Sequence, residues 1–324
     1  MAIKGERVGP FRLERLLGRG LEGEVWKARG EPGAEAVAVK LYLEPAWAEA
    51  LRESGPPPAP PAHDNLCRRL GFDLEGQPPW AAWTLHEGTT LEAVLAGEHL
   101  VPLRFALPVV LQIARGLEAL HAAGEAHRDL RPGNVLLDAA GRLRLADPQS
   151  PGYSMRVLAR VLRGKQRSER EQAHAARLAP YVAPEVARGQ PAGAASDMYG
   201  FGVMVYTMLC GRRPEGIEVR YPSAVDGRIP KILDEVVLAC LERRTRARLP
   251  DAIGLGRRLV AGLERARFRL DLSREPEAWV QSTPWRPRPQ PARRSAAADA
   301  EVGAETGAFR AMLERLAEPR APGG

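Results

Sequence analysis

The chain has 324 residues, among them 47 Lys or Arg and 40 Asp or Glu, for a formal net charge of +7. That length buries a full core and leaves room for one catalytic unit with an appendage. Cys67, Cys210 and Cys240 stand far apart with no C-x-x-C pair, which argues against a disulfide framework or a zinc site and makes a reducing cytoplasm the expected compartment.

Met1 to Glu6 lacks the apolar stretch of a signal peptide. From Phe11 to Leu43, short strand-like runs are broken by glycines. The segment Leu17-Gly18-Arg19-Gly20-Leu21-Glu22-Gly23 lies between two such runs instead of opening a helix, which argues against a dinucleotide fold. Lacking β-carbons, Gly18, Gly20 and Gly23 let the backbone approach phosphates closely. Lys40 follows on the next strand, at the end of Ala36-Val37-Ala38-Val39-Lys40. Ala46 to Ser54 predicts barely two helical turns, because no helix continues through Gly55-Pro56-Pro57-Pro58-Ala59-Pro60-Pro61. Pro79 to Leu85 predicts a strand.

Ala106, Val109, Val110, Ile113, Leu117 and Leu120 keep an apolar stripe at helical spacing, a core face that tolerates Pro108 in its first turn. It delivers the chain to His127-Arg128-Asp129-Leu130-Arg131-Pro132-Gly133-Asn134. An Asp and an Asn so spaced in a loop can face a hydroxyl and a metal together. Phosphoryl transfer needs a carboxylate near the attacking hydroxyl and oxygen ligands on magnesium, and Asp129 and Asn134 are the residue types for those tasks. Met198 to Cys210 reads as a buried helix, well short of the about 20 residues of a membrane span. Leu233 to Leu241 and Ala252 to Leu263 predict two more helices. Beyond Leu270, Pro284, Pro287, Pro289 and Pro291 are too closely spaced for regular packing and mark a linker or disordered tail. Near its end Phe309, Met312, Leu313 and Leu316 predict a short helix over 307–318, capped by Thr306, that docks on a partner, folds back or frays. The positive charge permits anionic partners, but no nucleic-acid-binding motif accompanies the arginines, so a solvated basic surface is expected and nucleic acid is not.

Taken in order, the glycine-rich segment, Lys40, the loop of Asp129, Asp147 in Leu145-Ala146-Asp147, and Ala183-Pro184-Glu185 resemble a eukaryotic-type protein kinase domain of the bacterial Hanks type. The resemblance covers residues 8–268. It implies an α+β bilobal fold, with a small β-rich amino-terminal lobe over 8–85, a hinge at Thr84 to His86, a larger helical carboxy-terminal lobe over 86–268, and a tail over 269–324. It implies ATP and Mg2+ as cofactors and protein hydroxyls, self-phosphorylation included, as substrates. Lys40 would hold the α- and β-phosphates, positioned by Glu53 or Glu49 of the short helix. Val25, Ala38 and Leu136 would sandwich adenine. Asp147 and Asn134 would bind magnesium, and Asp129 would orient the substrate hydroxyl and take its proton. Asp197 would hold the catalytic-loop backbone, Glu185 and Arg248 would form a buried ion pair, and Arg128 would bind a phosphorylated residue. His63-Asp64-Asn65-Leu66 is similar to the family's entry to the strand before the hinge. Pro132-Gly133-Asn134 and Tyr181 to Glu185 look like the serine/threonine branch, although Arg131 replaces its usual lysine, and the Ala-Pro-Glu motif separates the chain from aminoglycoside-type kinases.

The chain departs from the family pattern at three supports. Asp147-Pro148-Gln149 stands where the family has Asp-Phe-Gly, Leu178 where it usually has a threonine, and the helix before Pro56 is short. The activation segment offers Ser150, Tyr153, Ser154 and Ser168 for phosphorylation, amid Arg156, Arg160, Arg163, Lys165, Arg167 and Arg170. The resemblance therefore implies a serine/threonine protein kinase of low activity, with a pseudokinase, an ATP-binding or scaffolding module, as the alternative.

Overall fold

The computed structural model describes residues 2–20, 22–31, 33–96, 101–148, 179–214 and 219–266. The expectations for Gln149, Leu178, the hydroxyls and basic residues between them, and the tail with its helix at 307–318 lie outside the described residues.

Strands β1 (Arg7–Val8), β2 (Phe11–Arg19), β3 (Gly23–Arg29) and β4 (Ala36–Tyr42) are followed by helix α1 (Pro45–Ser54), then β5 (Arg69–Asp73) and β6 (Trp80–Thr84). They form one antiparallel sheet in the order β1-β2-β3-β4-β6-β5. Because side chains alternate along a strand, this sheet sorts its residues onto two faces. One face buries Leu13, Trp26, Val39, Leu41 and Ala82 in a core of its own. The other carries Ala38, Lys40, Ala81 and Trp83, with Val25 directly opposite Lys40 and Ala38 directly opposite Trp83. Against this second face α1 packs Ala48, Ala50 and Leu51. The helix ends at Gly55, with φ 81°, before the proline run.

The carboxy-terminal lobe begins with β7 (Thr89–Thr90) and α2 (Leu91–Leu95), continues through α3 (Leu103–Ala122), and turns through β8 (Val135–Leu137) and β9 (Leu143–Leu145). Then come α4 (Pro184–Ala187), α5 (Ala194–Cys210), α6 (Pro222–Val225), α7 (Lys231–Leu241) and α8 (Leu255–Arg265). Helix α3 starts at Leu103, so Pro108 lies inside it and not in its first turn as expected. The apolar face begins a turn earlier, with Phe105 and Leu107 buried, and burial outweighs the hydrogen bond that proline withholds. Helix α5 is buried almost all round, as its composition implies, and packs with α3 and α7 into the largest core.

The segment Asn65 to Cys67 ties the lobes together. Leu66 bridges Leu145, Leu145 N donates to Asn65 O at 2.9 Å, and Cys67 N donates to Leu145 O at 2.9 Å. Asn65 Nδ2 also donates to Leu143 O at 2.9 Å. The end of β9, two residues before Asp147, is thereby fixed to the chain that enters β5.

Candidate functional site

The site lies between the sheet face that carries Lys40 and the loop that follows α3. Lys40 Nζ ion-pairs with Asp147 Oδ2 at 2.5 Å and also with the Glu22 carboxylate. Burial alone would push the Lys40 ammonium down, but the Asp147 and Glu22 carboxylates outweigh it and hold the group well above the usual lysine range. Glu22 responds the other way. Burial raises its carboxyl more than Lys40 lowers it, and the charges of Asp147 and Asp129 push in the same direction as burial.

This pairing corrects the expectation for Glu53 or Glu49. Both are exposed, whereas Lys40 is 8% exposed. Helix phase is the reason: Ala48 and Leu51, three apart, face the sheet, so Glu49 and Glu53, four apart, share the other side. The carboxylates that the structure sets on Lys40 come instead from the β2–β3 turn and from the segment after β9.

That turn is closed by Gly20 N donating to Gly23 O at 2.9 Å, and it is laid on the end of β4 by Leu43 N donating to Glu22 O at 3.0 Å. Gly23 cannot be replaced here, since a Cβ would stand 1.8 Å from Leu41 O. Around Gly18 there is nothing within 4 Å of such an atom, and around Gly20 only Glu22 N at 4.0 Å. Of the three expected phosphate-approaching glycines, only Gly23 is demanded by the protein itself. Gly18 and Gly20 leave open space beside the backbone, as a phosphate cradle requires. Ala38 and Leu136 both pack against the cluster around Trp83, and half-buried Val25 shares the sheet face of Ala38, so the structure brings the expected adenine contacts toward one place.

The loop of Asp129 is held from below by α5. Asp197 Oδ2 accepts from His127 N at 2.7 Å and Oδ1 from Arg128 N at 2.8 Å, while His121 Nε2 contacts Oδ2 at 3.1 Å. Arg128 is thereby kept at φ 65°, a conformation that residues with side chains seldom adopt. One turn on, Gly200 lets the loop lie against the helix, where a Cβ would meet Leu130 O at 2.7 Å. Arg128 directs its guanidinium to Glu125 Oε2 at 3.3 Å and Ala126 O at 3.0 Å.

Asp129 Oδ2 accepts from Arg131 Nε at 3.1 Å and from Asn134 Nδ2 at 2.8 Å, and Asn134 Nδ2 also donates to Asp129 O at 2.8 Å. Burial would lower the Arg131 guanidinium, but the Asp129 charge and hydrogen bond keep it raised. Asn134 O accepts from Ala146 N at 2.9 Å, which seats Asp147 next to this loop with φ 60°. The amide nitrogen of Asn134 is engaged by Asp129, which leaves its side-chain oxygen as the atom that could meet a metal. An Asp carboxylate and an Asn oxygen are hard donors that suit magnesium. Among the described residues no three His, Cys, Asp or Glu side chains gather into a self-contained metal site. Pro148, after Asp147, is buried.

Two groups that the structure brings to the site or its fastening carried little signal in the sequence. Glu22 reads there as an ordinary loop acid, and Asn65 as part of a strand entry. The expected pair of Glu185 and Arg248 is present: Nη1 donates to Oε1 at 2.6 Å and Nη2 to Oε2 at 2.8 Å, with Ser196 Oγ donating to Oε1 at 3.0 Å. Cys67, Cys210 and Cys240 are free and buried. No helix of the described residues is long and apolar enough to cross a membrane.

Residues 11–220 match the protein kinase domain family. The serine/threonine-protein kinase PknA of Mycobacterium tuberculosis is 31% identical over 216 residues, which are 64% of this chain and 48% of PknA. The serine/threonine-protein kinase PkaA of Streptomyces coelicolor is 33% identical over 293 residues, 77% of this chain and 49% of PkaA. The chain therefore spans about half the length of these relatives. The kinase domain of Mycobacterium tuberculosis PknI superposes with a TM-score of 0.61 at 22% identity, over 81% of this chain and 100% of that one, a likeness of fold. The match runs from the glycine-rich turn over Lys40, through the loop of Asp129, and past Glu185, and by it the chain belongs to the protein kinase domain family.

Proposed function

We propose that the chain is a serine/threonine protein kinase that transfers the γ-phosphoryl group of ATP to protein hydroxyls, its own included. One observation carries the proposal: Asp129 is fixed by Arg131 and Asn134, beside an Asp147 that is paired with Lys40. Lys40 supplies the cation for the α- and β-phosphates, and Asp147 with the Asn134 oxygen holds the metal. Magnesium, when bound, neutralises charge on the phosphates and orients them. Asp129 orients the attacking hydroxyl and accepts its proton as the bond to phosphorus forms. Arg131, on the same carboxylate, adds positive charge where the phosphoryl group passes. Since most of the catalysis comes from positioning and electrostatics, the hold of Asp197 on this loop belongs to the machinery as support.

The names of PknA and PkaA, and Pro132-Gly133-Asn134 in this chain, support serine and threonine as acceptors. The proposed domain runs from 8 to 268, past the matched residues, because α7 and α8 share the core of α3 and α5. A cytoplasmic location and a signalling role accompany the same reading, while the apolar spacing of the tail helix leaves docking on a partner beside folding back or fraying. The test is transfer of radiolabel from ATP to the protein itself and to a generic acceptor, beside Asp129→Asn. Label on the parent alone is the expected result. Nucleotide binding with no transfer by either protein returns the reading to an ATP-binding module.

A further inference from the structure

Lys40 has a counter-ion that comes from the roof of its site. Glu22 sits at the tip of the β2–β3 turn, its backbone oxygen accepts from Leu43 N at 3.0 Å and Glu44 N at 3.3 Å, and its carboxylate reaches down to Lys40. The side chains of Lys40, Glu22 and Asp147 are only 10%, 19% and 20% exposed. On the sheet face that carries Lys40, α1 packs its apolar residues Ala48, Ala50 and Leu51 into a cluster with Ala81 and Trp83. A phosphate lying beneath the glycine-rich turn would approach Lys40 from the side of that turn, where Glu22 stands. We propose that the Glu22 carboxylate occupies the place on Lys40 that a nucleotide phosphate takes, so that nucleotide enters by displacing it and Glu22 sets the affinity for phosphorylated ligands. The proposal rests on the nucleotide-binding reading above.

Two features favour displacement over coexistence. Three carboxylates, those of Glu22, Asp147 and Asp129, pair with two cations, Lys40 and Arg131, so the carboxylates already outnumber the cations. A polyphosphate added beside a retained Glu22 would increase that excess, and a magnesium ion would relieve it. Moreover, the turn is held by backbone bonds of Glu22, so its side chain can leave Lys40 while the roof stays on β4. Removing the charge therefore separates the carboxylate's effect from that of the loop.

The experiment measures calorimetric affinity of the full chain for ADP and for adenosine, with magnesium and with chelator, in the parent, Glu22→Gln and Glu22→Ala, with melting of each protein alone as the folding control. Both variants are expected to bind ADP more tightly, by about tenfold, equivalent to about 1.4 kcal/mol. The gain should be larger without magnesium. Adenosine, which has no phosphate to meet Lys40, should bind all three proteins equally. If the parent binds ADP and the variants bind it equally or more weakly, Glu22 serves Lys40 as a positioning carboxylate and the proposal falls. Gains of the same size for adenosine also overturn it, since they would report a loosened roof. If no protein binds either ligand, the nucleotide reading itself fails and takes the proposal with it.

Discussion

At the scale of single residues the decisive group is Asp129, whose Oδ2 accepts from both Arg131 and Asn134. Asp129→Asn keeps the size of the side chain and removes the proposed base. General-base contributions of about 10²–10⁴ in rate set the expected loss of transfer. Magnesium-ATP should still raise the melting temperature of that variant, because Lys40, Asp147 and the adenine contacts remain. Persistent transfer would mean that Asp129 is not the base. The contact of Asp129 with Asn134 is legible in the sequence because it is local: an Asp and an Asn at fixed spacing in one loop need little tertiary help to meet. Glu22 was not legible in that way. Nothing in a loop sequence says that an acid will turn inward, since the reach of its side chain is decided by the seating of Gly23 on Leu41 and by a lysine on another strand.

At the scale of elements, the phase of α1 decides which of its acids can reach Lys40. The sequence places Ala48 and Leu51 on one side of α1, and the phase of that stripe turns Glu49 and Glu53 outward. The pair of Glu185 and Arg248 was legible because both positions belong to motifs, and here its energetics can be tested. Burial pushes the Glu185 carboxyl up, but Arg248, the backbone and Ser196 outweigh it and hold the group below the usual glutamate range. Its folded value therefore lies below its unfolded one, near about 4.3. The stabilisation from the pair is complete above the unfolded value and is lost as pH falls through the lowered folded value. Arg248→Ala leaves a 7% exposed carboxylate without its guanidinium and should cost about 3–5 kcal/mol in denaturant unfolding at pH 7. The deficit should shrink on acidification below the folded value of Glu185, where the carboxyl is neutral. A deficit that does not change with pH would show that Arg248 acts through its contacts with Ala195 O, Glu242 O and the Tyr199 ring instead. Trp83 makes a second case. It lies at the centre of the layer beneath α1, 6% exposed, and Trp83→Ala should cost about 3–5 kcal/mol as a cavity opens between helix and sheet. A change below about 1 kcal/mol would mean that α1 settles into the space.

For the whole molecule, two lobes are what the resemblance to a kinase domain implies, whereas the fastening between them has no such signal. It consists of backbone bonds from Asn65 and Cys67 to Leu145 and of the Asn65 amide on Leu143, contacts with no pattern along the chain. Through this fastening Asp147 is held against Lys40 across the junction between lobes. A ligand that touches the glycine-rich turn and Lys40 above, and Asp147 and Asn134 below, binds only when both lobes are folded and seated. It must then stabilise them together. At a ligand concentration one hundred times Kd the stabilisation is about 2.7 kcal/mol, which for a fold of this size raises the melting temperature by about 5–10 °C in a single transition. Lys40→Ala should lose most of that shift, because it removes the cation that the phosphates and Asp147 share. A scan in which saturating magnesium-ATP moves only an early part of the transition would show that the lobes melt separately. One in which it moves nothing, for parent and Lys40→Ala alike, would remove nucleotide from the account of this site.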